Sequence, residues 1–196
     1  MPEGLFDKAE ILAHLGEVAD LLATERHPQA TLVVVGGSYL VLHDLRAMGT
    51  SDVDSIERLT QALRSAVERV ALENDLSTDW LNDRAAMFAP VGFERSDCSV
   101  LFEHSALLVL GPKPDWVFLM KLHASREVDR DDMVALWPRC SFTSPEEAAE
   151  RYKAAYPHEQ DDPYLAGYIA ELASATTARG DPMPPRVTTR SRRSRT

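Results

Sequence analysis

Val33-Val34-Val35-Gly36-Gly37-Ser38, then thirteen residues, then Asp52-Val53-Asp54: this stretch decides how the chain is read. Thr31–Val35 is apolar and β-branched, so it reads as a buried strand. Gly36-Gly37 ends that strand. Ser38 opens a helix over about 38–48, with Leu40, Val41 and Leu45 on one face and Gly49 closing it. A strand that turns through two glycines into a helix leaves backbone N–H groups unpaired at the helix start. Glycine lets a phosphate approach those groups closely, and the helix dipole favours the anion. Ser38 adds a hydroxyl. Ser51–Ile56 alternates polar with apolar residues and reads as a strand, so Asp52 and Asp54 share one face. Adjacent carboxylates repel each other unless a cation lies between them. Magnesium suits such a pair, being a hard ion that is usually completed by substrate phosphates. Each half of the pattern is weak alone: a lone Gly-Gly-Ser is usually a plain turn, and a lone Asp-x-Asp is often a solvated strand edge. In this order and spacing they point to metal-assisted phosphoryl or nucleotidyl transfer.

Outward from this stretch, residues 5–24 carry Leu5, Ile11, Leu12, Leu15, Val18, Ala19 and Leu22 at helical spacing. Residues 56–72 repeat the pattern with Ile56, Leu59, Leu63, Val67 and Val70. Residues 74–97 read as loop-rich, with Trp80-Leu-Asn-Asp83 looking exposed. Cys98–Phe102 and Ala106–Leu110 form an expected hairpin, and Gly111-Pro-Lys-Pro114 reads as a stop. Helices follow over about 114–126, 130–137, 145–155 and 162–175. Ser144-Pro-Glu-Glu147 supplies a cap, a first-turn proline and a third-position acid. The order predicts an α+β fold: a small mixed sheet flanked by helices, with a helical C-terminal half. The expected division is a sheet core over 1–112, a helical part over 113–178 packed on it, and a disordered arginine-rich tail over 179–196.

The 196 residues carry a formal charge of −10, unevenly placed. Residues 179–196 hold six arginines and one acid; the rest holds 15 basic and 30 acidic residues, or −15. Such a body does not bind a polyanion by charge alone and needs metal ions, a local basic patch or the tail. No apolar run approaches a membrane span, and no secretion leader is visible. Cys98 and Cys140 lack metal or redox spacing, so a cytoplasmic, reduced setting is expected. The six histidines show no zinc-ligand spacing.

The glycine turn followed by Asp-x-Asp resembles the signature of the nucleotidyltransferase superfamily. The resemblance continues through Leu45-Arg46, Thr50–Ser55, Asp79–Asp83, Phe118–Ala124, Arg126 and Asp129–Asp132. Over roughly residues 30–160 it is similar to the AbiE/MenT group of bacterial and mycobacterial toxin nucleotidyltransferases, and in length to their short members. It implies a polymerase-beta-like nucleotidyltransferase fold, a two-metal mechanism with Mg2+ on Asp52 and Asp54, and a nucleoside triphosphate donor. On the same basis Gly36, Gly37, Ser38, Arg46 and Lys121 hold the phosphates. Asp129, then Asp132, supplies a third carboxylate as metal ligand or base, with Glu103 as the alternative and Asp131 facing solvent. The residue before that acid run is Val128 where the family carries arginine, so the acid assignment stays open. Trp80 and Asn82 read as core or loop anchors, with base stacking by Trp80 the alternative.

The resemblance further implies a toxin that adds nucleotides, from CTP or UTP, to the 3′ end of tRNA and so blocks aminoacylation and translation. A cognate antitoxin, in some relatives a kinase, would be its partner, with Thr50, Ser38 and Ser51 as candidate phosphorylation sites. Two other readings keep the site or abandon its chemistry: nucleotidylation of a small-molecule or protein hydroxyl, and a non-catalytic binding module.

Overall fold

The computed structural model describes residues 4–124 and 126–178. Five strands form one mixed sheet in the order β3-β2-β1-β5-β4. Strand β1 (Ala30–Val35) lies at its centre, parallel to β5 (Leu107–Pro112) and antiparallel to β2 (Val53–Ser55). Strand β3 (Leu81–Asn82) runs parallel to β2, and β4 (Cys98–His104) is antiparallel to β5. Seven α-helices are described: α1 (Lys8–Thr24), α2 (Gly36–Leu42), α3 (Gln61–Glu73), α4 (Pro114–Ala124), α5 (Arg130–Leu136), α6 (Pro145–Ala155) and α7 (Leu165–Ala178). This is the expected α+β arrangement, a small mixed sheet flanked by helices.

Strand β1 is buried almost throughout because helices cover both of its faces. Leu32 and Val34 join the main core with Ile11, Leu15, Val18 and Leu22 of α1 and Leu63, Val67 and Val70 of α3. Val33 and Val35 point the other way, into a smaller cluster with Ile56, Leu110 and Met120. Period-two alternation thus builds two cores from one strand. The C-terminal helices share the main core: Val117, Phe118 and Leu119 of α4, Met133 and Val134 of α5, Ala148 of α6 and Ile169 and Leu172 of α7 all belong to it.

Several boundaries differ from the sequence reading. Helix α2 starts at Gly36 and stops at Leu42, where 38–48 was expected. Asp44, at φ +58°, ends it instead of Gly49: its N–H bonds to the Val41 carbonyl and the Leu45 N–H reaches back to the Leu40 carbonyl. Gly49 serves another need, since a β-carbon there would stand 2.5 Å from the Phe6 carbonyl oxygen. Helix α3 begins at Gln61 rather than at 56, because the Thr60 side chain accepts from the Leu63 N–H. The loop-rich segment contains β3. Strand β5 continues through Gly111 and Pro112, which pair with Ser99 and Cys98, so the expected stop is strand. The expected arginine-rich tail, 179–196, lies outside the described residues. Cys98 and Cys140 are free thiols. Among the described residues no helix is long and apolar enough to cross a membrane.

Candidate active site

The register of β1 against β2 builds the site. Val35 pairs with Asp54, so the next residue, Gly36, turns directly beside that carboxylate. Gly36 has φ +67°, and a β-carbon on it would stand 2.9 Å from Asp54 Oδ2. At Gly37 a β-carbon would meet Arg46 Nη1 at 2.7 Å and Thr50 Oγ1 at 2.8 Å. Only glycines let the turn approach these side chains. Asp52 precedes β2 and Asp54 lies within it; both are half-buried, flanking the fully buried Val53, as the alternation requires.

A cavity of about 590 Å³ opens in front of the turn. Gly36, Gly37, Arg46, Thr50, Ser51, Asp52 and Asp54 line it from the sheet side. Val117, Met120, Lys121 and Ala124 line it from α4, at the three- and four-residue spacing that places them on one helical stripe. Arg84, Phe88, His123, Arg126 and Asp129 complete the wall. Arg46, Arg84, Lys121 and Arg126 set four cationic side chains on the wall, facing the carboxylates of Asp52, Asp54 and Asp129.

Burial, and then the neighbouring Asp52 charge, push the Asp54 carboxyl above its ordinary range; the Asn82 amide, Arg126 and Arg84 pull it partly back. Asn82 acts there because it pairs with Asp54 across β2 and β3. Among the described residues neither Asp52 nor Asp54 has a salt-bridge partner. Two half-buried carboxylates without a direct counter-ion fit magnesium, which needs one or two carboxylates with substrate oxygens.

Lys121 is 6% exposed, and its ammonium lies 2.7 Å from Asp129 Oδ1 and 2.7 Å from Asp132 Oδ2. Asp132 Oδ1 in turn lies 3.7 Å from Arg46 Nε. Lysine has three N–H donors, so two carboxylates leave one for a ligand. The two acids hold Lys121 from two sides. Among the described residues no group of three carboxylates, histidines or cysteines could hold an ion by itself. Asp129 and Asp132, the two acids expected to supply a third carboxylate as metal ligand or base, are thus both bonded to the Lys121 ammonium, and Asp129 also lines the cavity. Asp131 is exposed.

Three other expectations change. Ser38 is fully buried, its hydroxyl donates to the Val35 carbonyl at 2.9 Å, and it does not line the cavity. Glu103 is exposed on β4, the sheet edge farthest from β2, and does not line the cavity. Trp80, which looked exposed, is 1% exposed and donates its indole N–H to the Val67 carbonyl, as a core anchor. Thr50 is buried but lines the cavity, its hydroxyl bonded to the Asp52 carbonyl oxygen at 3.1 Å; Ser51 is exposed beside it. A main-chain bridge ties Thr50 to Phe6, with N···O distances of 2.7 and 3.0 Å. Sequence reading gave no role to Arg84 or Phe88, whose segment carries no motif, nor to His123, which lies two residues beyond Lys121 in a matched stretch. Arg84 follows Asn82 by two residues, which becomes informative only once β3 is known to pair with β2.

Two glycines thus open a helix directly against the strand that carries Asp52 and Asp54, and this arrangement places the chain among the nucleotidyltransferases. The chain belongs to the family described as nucleotidyltransferase of unknown function (DUF6036), whose model matches residues 10–165. No curated protein and no solved structure matches the chain.

Proposed function

We propose that the chain transfers a nucleotide from a magnesium-bound nucleoside triphosphate to the 3′-hydroxyl of tRNA, as a toxin opposed by a cognate antitoxin. The observation that carries the chemistry is the contact of the Gly36 turn with Asp54 inside a cavity lined by four cationic side chains. In the reaction the acceptor oxygen forms a bond to the α-phosphorus. The bond from that phosphorus to the bridging oxygen breaks, and pyrophosphate leaves. Magnesium on Asp52 and Asp54 would offset charge on the triphosphate and make the acceptor hydroxyl more acidic. Gly36 and Gly37 admit the phosphates to the backbone, and Lys121 and Arg46 supply cationic donors. The CTP or UTP donor, the tRNA acceptor and the toxin role rest on the resemblance to AbiE/MenT toxins, and the cytoplasmic setting on the cysteine usage.

Regulation would act on the same wall. A phosphate on Thr50 or Ser51 would add nearly two negative charges beside Asp52 and compete with the donor for metal and space. Mass spectrometry of the chain co-expressed with its antitoxin tests this; an inhibited yet unmodified chain would point to steric blocking.

The charge of −15 over residues 1–178 favours a second reading, a small-molecule or protein hydroxyl as acceptor. One experiment separates the two. Purified protein is incubated with total tRNA, magnesium and each labelled nucleoside triphosphate, beside an Asp52→Ala control. Label entering tRNA only with the wild type supports the first reading. Label absent from RNA but entering other components of a cell extract supports the second. Full transfer by a folded Asp52→Ala protein would sink both.

A further inference from the structure

Phe88 is 43% exposed, whereas Phe6, Phe118 and Phe142 are 9%, 0% and 7% exposed. Its position explains the difference. It ends a short 3-10 turn, Arg84–Phe88, that follows β3, the strand whose Asn82 pairs with Asp54. The turn is fixed from behind: the Phe88 carbonyl accepts from the Tyr156 hydroxyl at 3.1 Å. The Phe88 ring centroid lies 6.0 Å from that of His123, tilted by 57°. His123 lies flat on Tyr156, with centroids 4.0 Å apart and planes 4° apart. Both Phe88 and His123 line the cavity that holds the Gly36 turn, Asp52 and Asp54. Arg84 and Arg126, on the same wall, are close enough to act on the Asp54 carboxyl. A rigid aromatic surface therefore adjoins the charged part of the cavity. The other well-exposed apolar residues on the wall, Met48 and Val128, are aliphatic and offer no ring.

A ligand that fills both regions carries a polyphosphate at one end and a flat π-face at the other. We propose that Phe88, backed by His123, seats the base of the nucleoside triphosphate; this rests on the nucleotidyl-transfer reading above. Stacking on an aromatic ring tolerates any base, so the seat supplies affinity rather than base choice. Pinning the turn through Tyr156 in advance lowers the ordering cost on binding. Trp80, the ring that sequence alone singles out, is buried and unavailable for this role.

The test compares magnesium-dependent binding of CTP, UTP, ATP and GTP with that of inorganic tripolyphosphate, which has no base, by calorimetry. Phe88→Ala should weaken the tightest nucleotide by about 5- to 100-fold and leave tripolyphosphate unchanged. Phe88→Trp should bind nucleotides as the wild type does. Unchanged nucleotide affinity in Phe88→Ala, an equal loss for tripolyphosphate, or a wild type that binds the two ligands equally would overturn the base seat and leave the transfer reading standing. A wild type that binds no nucleotide with magnesium would overturn the transfer reading itself. The exposure of Phe88 makes a folding failure an unsuitable explanation, and circular dichroism of the variant checks this.

Discussion

Asp54 Oδ2 lies 2.9 Å from the point where a β-carbon would stand on Gly36. The turn and the carboxylate were separated by seventeen intervening residues in sequence and are brought together by a single strand pairing, Val35 to Asp54. Gly36→Ala meets two obstacles, the positive φ and the Asp54 oxygen. It should cost about 1–2 kcal/mol of stability and weaken nucleotide binding, read by urea denaturation and calorimetry. An unshifted midpoint with wild-type binding would mean that the turn has slack.

Asp54→Asn should act in opposite directions on stability and on activity. The folded-state pKa of Asp54 is raised, so ionising it destabilises the metal-free fold. That penalty is absent below the ordinary value of 3.8 and complete above the raised one. Without magnesium, the variant should therefore melt higher than the wild type at neutral pH, by about 2–4 °C for each kcal/mol relieved, and equally at pH values below the ordinary one. With magnesium and nucleotide it should show no transfer. A lower melting temperature at neutral pH would contradict the burial argument.

Lys121→Met leaves Asp129 and Asp132 facing each other with their shared cation gone. The loss should be about 3–5 kcal/mol, the usual cost of removing one partner of a buried pair. Adding Asp132→Asn to Lys121→Met should restore part of it, so the double variant loses less than the sum of the singles. Strict additivity in chemical denaturation would show that the ammonium and this carboxylate are not coupled.

Trp80→Phe removes the indole bond to the Val67 carbonyl but keeps an aromatic ring in the core. A loss of about 1–2 kcal/mol is expected, with nucleotide affinity unchanged. Impaired nucleotide binding at wild-type stability would return Trp80 to the ligand site.

The α+β class, the central strand and the pairing of Asp52 with Asp54 on one face were legible because each depends on local periodicity. Trp80 reads correctly as a core anchor, but its segment looked exposed because Asp79, Asn82 and Asp83 around it are polar, while its burial comes from α3, thirteen residues back. The setting of Ser38 was hidden for a related reason: its type suits a phosphate turn, but α2 starts two residues earlier and its hydroxyl bonds the Val35 carbonyl. Lys121 was picked out by resemblance and its place on the cavity wall fits that choice. Its contacts with Asp129 and Asp132 depend on how α5 docks against α4, which no spacing encodes. Phe88 and His123 meet only through tertiary packing, thirty-five positions apart.

The bridge between Phe6 and Thr50 gives the segment ahead of α1 an influence out of proportion to its chemistry. Asp7 caps α1, so the residue next to it is held wherever that helix is held, and Thr50 with it. The rim of the cavity should therefore breathe in step with α1 rather than with the sheet that carries Asp54. Amide exchange at Thr50 would follow α1 on gentle warming, and a cut between the bridge and the helix would loosen one wall while leaving every reactive side chain in the chain.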